Sequence, residues 1–137
     1  MIIHPNKLVG EVQQEFSRMF PFLKLEFYRG KGPQRLDPVR QNILAADRKI
    51  AEGQTNITDG EIDIKPAMTV KELEKRLKDE FSLLGQVFRR SRNVWLQTTM
   101  TDSWTLSNQN EHGKEISLGK VKSIIPGDFD LERDAGN

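Results

Sequence analysis

The chain is expected to fold as an α+β protein. A stretch of sequence recurs after sixty-one positions, strand-like and helix-like periodicities alternate along both copies, and the composition is that of a globular domain. Sliding the first 29 residues forward by 61 without a gap places Ile3 on Ile64, Pro5 on Pro66, Val9 on Val70 and Glu11 on Glu72. Phe20 then falls on Phe81, Leu23 on Leu84, Phe27 on Phe88 and Arg29 on Arg90, giving eight identities where average residue usage yields about two by chance. Two unrelated amphipathic helices would match at their apolar positions. They would not share the Ile-x-Pro ahead of the helix or the Phe-x-Arg behind it.

The second copy carries the clearer punctuation. Glu61-Ile62-Asp63-Ile64-Lys65 alternates as a half-buried strand does, and Pro66 stops it. Thr69-Val70-Lys71-Glu72 has the spacing of a capping box, and Val70, Leu73, Leu77 and Phe81 make one helical stripe. Glu72 with Arg76, Glu74 with Lys78 and Lys75 with Asp79 read as ion pairs on the solvated face. Residues 83–89 and 94–99 then form two strands joined by a turn at Ser91-Arg92-Asn93, a β-hairpin.

The first copy follows the same plan, with a short strand at Ile2-Ile3, a stripe at Leu8 or Val9, Val12, Phe16 and Phe20, and a strand over 23–28. Leu8 stands where Thr69 would be, which leaves Asn6 as the candidate cap. Between the copies, Gly30-Lys31-Gly32-Pro33 reads as a loop and Asp37-Pro38 as a helix start, with Val39, Ile43, Ala46 and Ile50 on its apolar side. Residues 53–60 form a second loop. After the hairpin, 102–106 read as a single helical turn and 116–125 as a strand. Two strand–helix–strand units in series suggest a mainly antiparallel sheet with both helices on one face, ferredoxin-like, with a ubiquitin-like grasp as the competing topology. Residues 1–125 are expected to form one globular domain in which 1–29 and 62–90 are equivalent, followed by an acidic C-terminal tail over 126–137.

Composition narrows the function. With 36% hydrophobic and 30% charged residues and no run of about 18 apolar ones, no membrane span is expected. The absence of cysteine removes disulfides, thiolate nucleophiles and cysteine-ligated zinc. The opening Met1-Ile2-Ile3-His4-Pro5-Asn6 lacks the basic and apolar regions of a secretory leader, so a cytoplasmic location is expected, and Asn56-Ile57-Thr58 reads as turn chemistry rather than a glycosylation site. A net charge of +1 steers the whole molecule toward neither nucleic acid nor lipid.

No catalytic, cofactor or metal constellation can be assembled. His4 and His112 show no ligand spacing, and Gly30-Lys31-Gly32 lacks the Gly-Lys-Ser/Thr of a phosphate loop. Asp128, Asp130 and Glu132 alternate but lack the glycine and terminal glutamate of a calcium loop. The segment Arg89-Arg90-Ser91-Arg92-Asn93-Val94-Trp95 stands above this background, because basic groups beside an aromatic hold phosphates and stack bases, or hold an acidic peptide. Its structural counter-reading is a core tryptophan flanked by charges that protect a sheet edge.

The motifs Met68-Thr69-Val70-x-Glu72-Leu73, Val87-Phe88-Arg89, Asn93 to Thr99 and Thr101-Asp102-Ser103-Trp104-Thr105-Leu106 resemble a group of small bacterial proteins of uncharacterised function, most closely over 61–110. The resemblance implies a prokaryotic cytoplasmic protein and brings no activity, cofactor or catalytic residue with it. The sequence thus points to a non-enzymatic module that recognises a protein or peptide through Arg89, Arg90, Arg92 and Trp95 or a sheet edge. The alternative is a nucleic-acid accessory protein using the same hairpin. Oligomeric state and partner identity are not encoded in any motif.

Overall fold

A computed structural model describes residues 1–28, 43–51 and 60–119. The fold is α+β. Its elements are β1 (Ile2–Ile3), α1 (Val9–Met19), β2 (Leu23–Tyr28), β3 (Ile62–Asp63), α2 (Val70–Phe81), β4 (Leu84–Ser91), β5 (Val94–Gln97), a 3₁₀ turn (Thr99–Thr101) and α3 (Leu106–Ser117). The loop at 30–33, the helix start at 37–38, most of the 53–60 loop and the acidic tail lie outside the described residues.

Among the described residues the strands form two antiparallel sheets, β1–β3 and β2–β4–β5, where one sheet had been expected. Ile2 pairs with Asp63 and Ile3 with Ile62, while Leu25 pairs with Val87 and Arg90 with Trp95. Period-two alternation turns Leu23, Leu25, Phe27, Val87 and Leu96 to an inner face. The helices pack there. Val9, Val12 and Phe16 of α1 and Val70, Leu73, Leu77 and Phe81 of α2 join the strand residues in a single hydrophobic cluster.

The capping box at Thr69 is present: its hydroxyl accepts from the Glu72 N–H at 3.1 Å, and the Glu72 carboxylate accepts from the Thr69 N–H at 3.3 Å. In α1 the cap is Leu8 rather than Asn6, and only the returning half of the box survives, Glu11 accepting from the Leu8 N–H at 2.9 Å. A leucine has no oxygen to offer, so the acid three residues on does the capping.

Each of these helix starts is clasped by a second turn of the same shape. Val9 N–H donates to Arg48 O (2.7 Å), Gly10 N–H to Ala46 O (2.9 Å), Ile50 N–H to Lys7 O (2.9 Å) and Ala51 N–H to Pro5 O (3.1 Å). In the same order, Val70 donates to Trp104 O (3.1 Å), Lys71 to Asp102 O (2.8 Å), Leu106 to Met68 O (2.8 Å) and Ser107 to Pro66 O (3.0 Å). The clasping explains why 43–51 is not helical as expected: its amides and carbonyls are committed to the start of α1.

The match between the two halves shifts in the strand after the helix. Leu23 and Phe27 point into the core, whereas Leu84 and Phe88 lie on the opposite face of the sheet. Helix α2 ends at Ser82 in a left-handed conformation (φ 51°), and buried Leu83 follows at once, while Phe20, Pro21 and Phe22 separate α1 from buried Leu23. Removing one residue from the connection exchanges the faces of everything that follows.

The segment read as a single helical turn at 102–106 is instead a non-helical turn over 102–105 that leads into a full helix, α3, from Leu106; α3 includes Ile116, so the strand expected from 116 is not present over its described part. Thr105 caps α3, accepting from the Asn108 N–H at 3.1 Å. Its buried stripe is Leu106, Gln109, Gly113 and Ile116. No helix among the described residues is long and apolar enough to cross a membrane.

Candidate functional site

The hairpin forms as expected, with Ser91 facing Val94 across the turn residues Arg92 and Asn93. Arg92 adopts a left-handed φ of 56°, uncommon for a residue with a side chain. Three contacts hold the turn. The Ser117 hydroxyl on α3 accepts from the Arg92 N–H at 3.1 Å and donates to Arg90 O at 3.2 Å, and Arg90 Nε donates to Arg92 O at 2.9 Å. The C-terminal end of α3 therefore latches the hairpin tip.

The four residues singled out by the sequence do not share one surface. Arg89 follows Val87 onto the inner face and is 2% exposed. Nη1 donates to Gln109 Oε1 at 2.5 Å and lies 3.5 Å from Thr101 Oγ1, and the guanidinium carbon sits 5.7 Å from the Trp104 ring centre. Gln109 in turn donates to Thr101 O at 2.6 Å and to its hydroxyl at 2.9 Å. Arg89 thus belongs to the packing between β4 and α3. A Cβ at Gly113 would stand 2.9 Å from Arg89 Cγ and 3.2 Å from Arg90 O, so only glycine lets the helix approach this closely.

Arg90, Arg92 and Trp95 are exposed, and Arg90 and Trp95 face each other across β4 and β5 on the outer side of the sheet. Trp95 is 37% exposed, not a core residue. Arg90 Cζ stands 5.9 Å from its ring centre, and Lys24 Nζ on β2 stands 5.2 Å from the ring centres of both Trp95 and Phe88. Cations at such distances are attracted by the ring faces. Among the described residues no carboxylate lies within ion-pair distance of Lys24, Arg90 or Arg92. The face built by Lys24, Phe88, Arg90 and Trp95 is therefore both aromatic and electropositive. Lys24 was invisible as a member because it lies on a strand more than sixty residues away in sequence.

Half-buried Glu74 and buried Tyr28 lie apart from this face. Glu74 does not pair with Lys78 on the solvated face: its Oε2 accepts from the Val87 N–H at 3.3 Å, beyond the point where β5 stops pairing with β4. Burial pushes its carboxyl up to about 7, the Val87 hydrogen bond opposes the shift, and the Asp102 carboxylate adds to it. Of the remaining helix pairs, Lys75–Asp79 forms at 2.6 Å, and Arg76 reaches Glu80 at 3.0 Å. Tyr28 is 1% exposed with no partner for its hydroxyl among the described residues, and burial, then the Glu26 charge, pushes it up to about 12.

A hollow of about 310 Å³ beside α3 is lined by Trp104, Asn108, Glu111, His112 and Glu115, with the His112 ring edge-on to Trp104 at 5.5 Å. Among the described residues no cluster of three or more His, Asp or Glu side chains is placed to hold a metal. Comparison with known proteins gives no matching family model, no similar curated protein and no similar solved structure.

Proposed function

We propose that the chain is a non-enzymatic binding module that takes an acidic segment of a protein or peptide partner on the outer face of its three-stranded sheet. The observation that carries this reading is the half-exposed Trp95 ring flanked by Lys24 and Arg90, neither of them ion-paired among the described residues. A carboxylate arriving there gains charge-assisted hydrogen bonds from both cations, and the tryptophan supplies apolar contact area. Arg92, at the adjoining tip, extends the positive surface, while Arg89 acts from beneath by holding β4 against α3.

The test is capture of partners from the native host by the wild-type chain and by the Lys24→Glu, Arg90→Glu double variant, with folding checked by circular dichroism. The reading requires an acidic protein partner that the double variant loses. Retention of that partner overturns it. Salt-sensitive binding of single-stranded DNA or RNA in its place, lost in the variant, identifies the face as a nucleic-acid interface instead.

The reading also takes the two halves as one duplicated unit in a bacterial cytoplasmic protein. Supporting the duplication are the eight identities and the two sets of four main-chain bonds made in the same order. The shifted strand faces mark where the halves have diverged.

A further inference from the structure

Resting on the acidic-face reading above, we propose that the partner segment enters as an added β-strand on the edge of β5, and that it alternates glutamate with apolar residues. The sheet β2–β4–β5 has two edges, and they differ. The Arg90 N–H donates to Phe22 O at 2.9 Å, so β2 bonds to β4 through its even-numbered residues and turns the carbonyls of Leu23, Leu25 and Phe27 outward. All three are occupied. Ser17 Oγ donates to Leu23 O at 3.2 Å, Gln13 Nε2 to Leu25 O at 3.0 Å and the Leu44 N–H to Phe27 O at 2.8 Å. On β5 the pattern is the reverse. Ser91 and Val94 close a two-residue turn and the Thr98 N–H donates to Val87 O at 3.4 Å, so Val94, Leu96 and Thr98 face β4. The N–H and C=O groups of Trp95 and Gln97 therefore point away from it, and no described residue bonds to them.

Those four groups suit strand addition, in which main-chain bonds hold the peptide and alternate side chains select it. The residues placed opposite Trp95 and Gln97 carry their side chains on the outer face. There Arg90 and Lys24 reach toward β5, standing 5.9 Å and 5.2 Å from the centre of the Trp95 ring. An acid at either position meets the cations across the tryptophan. Glutamate is favoured over aspartate, because its extra methylene covers more of the strand spacing of about 4.8 Å that separates the edge from β4. Among the strand residues of the outer face the one acid is Glu26, on β2, the strand farthest from this edge. The side next to β5 stays positive.

The residue between the two acids lies opposite Leu96 and turns to the inner face. Leu96 is 3% exposed there and Val94 half-buried, while Leu118 is 53% exposed beside Ser117, the residue that latches the hairpin tip. An apolar side chain at that position continues this surface, and a charged one would be drawn out of water without a partner. The recognised pattern is therefore glutamate, apolar, glutamate in an extended backbone.

The test is an NMR titration of the full chain with an end-capped synthetic peptide, Glu-Val-Glu-Val-Glu-Val. At saturation the Trp95 and Gln97 amides are expected to exchange about tenfold more slowly, with the Leu73 amide unchanged as the folding control. In the added strand the glutamate amides point at β5 and the valine amides away from it. Methylating the glutamate nitrogens is therefore expected to weaken binding about tenfold or more, and methylating the valine nitrogens to leave it intact. On the protein side, Gln97→Pro removes an outward donor and no bond to β4, and is expected to weaken binding similarly. Equal affinity of the two methylated peptides overturns the added strand. If that equal binding is abolished by the Lys24→Glu, Arg90→Glu pair, the acidic-face reading survives alone. Slowed exchange produced as readily by Ser-Val-Ser-Val-Ser-Val overturns the acid preference, and the acidic-face reading with it. No binding by any of the peptides, or amides of Trp95 and Gln97 already slow in the free chain, overturns the added strand as well.

Discussion

Arg89 on β4 and Gln109 on α3 meet inside the protein, Nη1 to Oε1 at 2.5 Å, with the residues 2% and 0% exposed. The glutamine spends both ends of its amide there, accepting from the guanidinium and donating to Thr101. Gln109→Leu removes an acceptor from a buried charge and is expected to cost about 2–3 kcal/mol in urea unfolding. Adding Arg89→Met removes the charge as well, so the double variant is expected to lose less than the sum of the two single losses. Additive losses would show that the two residues do not act together.

Glu74 makes stability depend on pH. Its folded value of about 7 lies above the ordinary 4.5, so the folded chain holds that proton more tightly than the unfolded one. The resulting contribution is complete below the unfolded value and is lost as pH rises through the folded one. Stability is expected to fall from about pH 4.5 to 7, by on the order of 2 kcal/mol. Glu74→Gln keeps an acceptor for Val87 and places in α2 the residue that α1 carries at the matching position, Gln13. Urea midpoints at pH 5 and pH 8 should differ less in the variant, which should exceed the wild type at pH 8.

Tyr28 is the chain's single tyrosine, so absorbance titration near the phenolate band reports it directly. Ionisation is expected at about 12 in the folded chain and at the ordinary value of 10 once it is unfolded. Stability is therefore present below 10 and is lost as pH climbs toward 12. Because the hydroxyl has no partner among the described residues, Tyr28→Phe should leave the chain as stable as before or up to about 1 kcal/mol more stable at neutral pH. A loss beyond that range would mean the hydroxyl is satisfied.

Leu77 packs in the cluster that also contains Phe16, Phe20 and Phe81. Leu77→Ala is expected to cost about 2–5 kcal/mol and to lower one cooperative transition, because both helices rely on the same core. A Cβ at Gly85 would stand 2.5 Å from Leu77 Cδ1, so Gly85→Ala should destabilise the wild type and cost less in the Leu77→Ala background, where the methyl has room. Two separate melting transitions, or equal costs in both backgrounds, would count against this packing.

Strands, helices α1 and α2 and the hairpin were legible because their signals are local: alternation at 61–65, the box at Thr69, the stripe from Val70 to Phe81. Helix α3 was shortened because two of its four buried positions are Gln109 and Gly113, which carry no apolar signal. The burial of Arg89 was available in principle, since it shares parity with Val87 along β4, but a cluster of three arginines reads first as charge. Lys24 joins the outer face only through strand pairing, which no local pattern encodes. The helix expected around Ile43 and Ile50 had the right spacing and met a stronger competitor in the main-chain bonds to the start of α1.

Those paired turns bear on how the chain comes together. Each joins segments distant in sequence, closing loops of about 40 and about 35 residues, and the entropy of closure differs between such loops by only about 0.1 kcal/mol. Neither closure has a head start, and neither is rewarded until the common core forms. All eight bonds run between main-chain groups, so side chains at these sites can drift without breaking them. Folding should therefore be a single slow step governed by long-range contacts, with the amides of Gly10, Ile50, Lys71 and Leu106 becoming protected together.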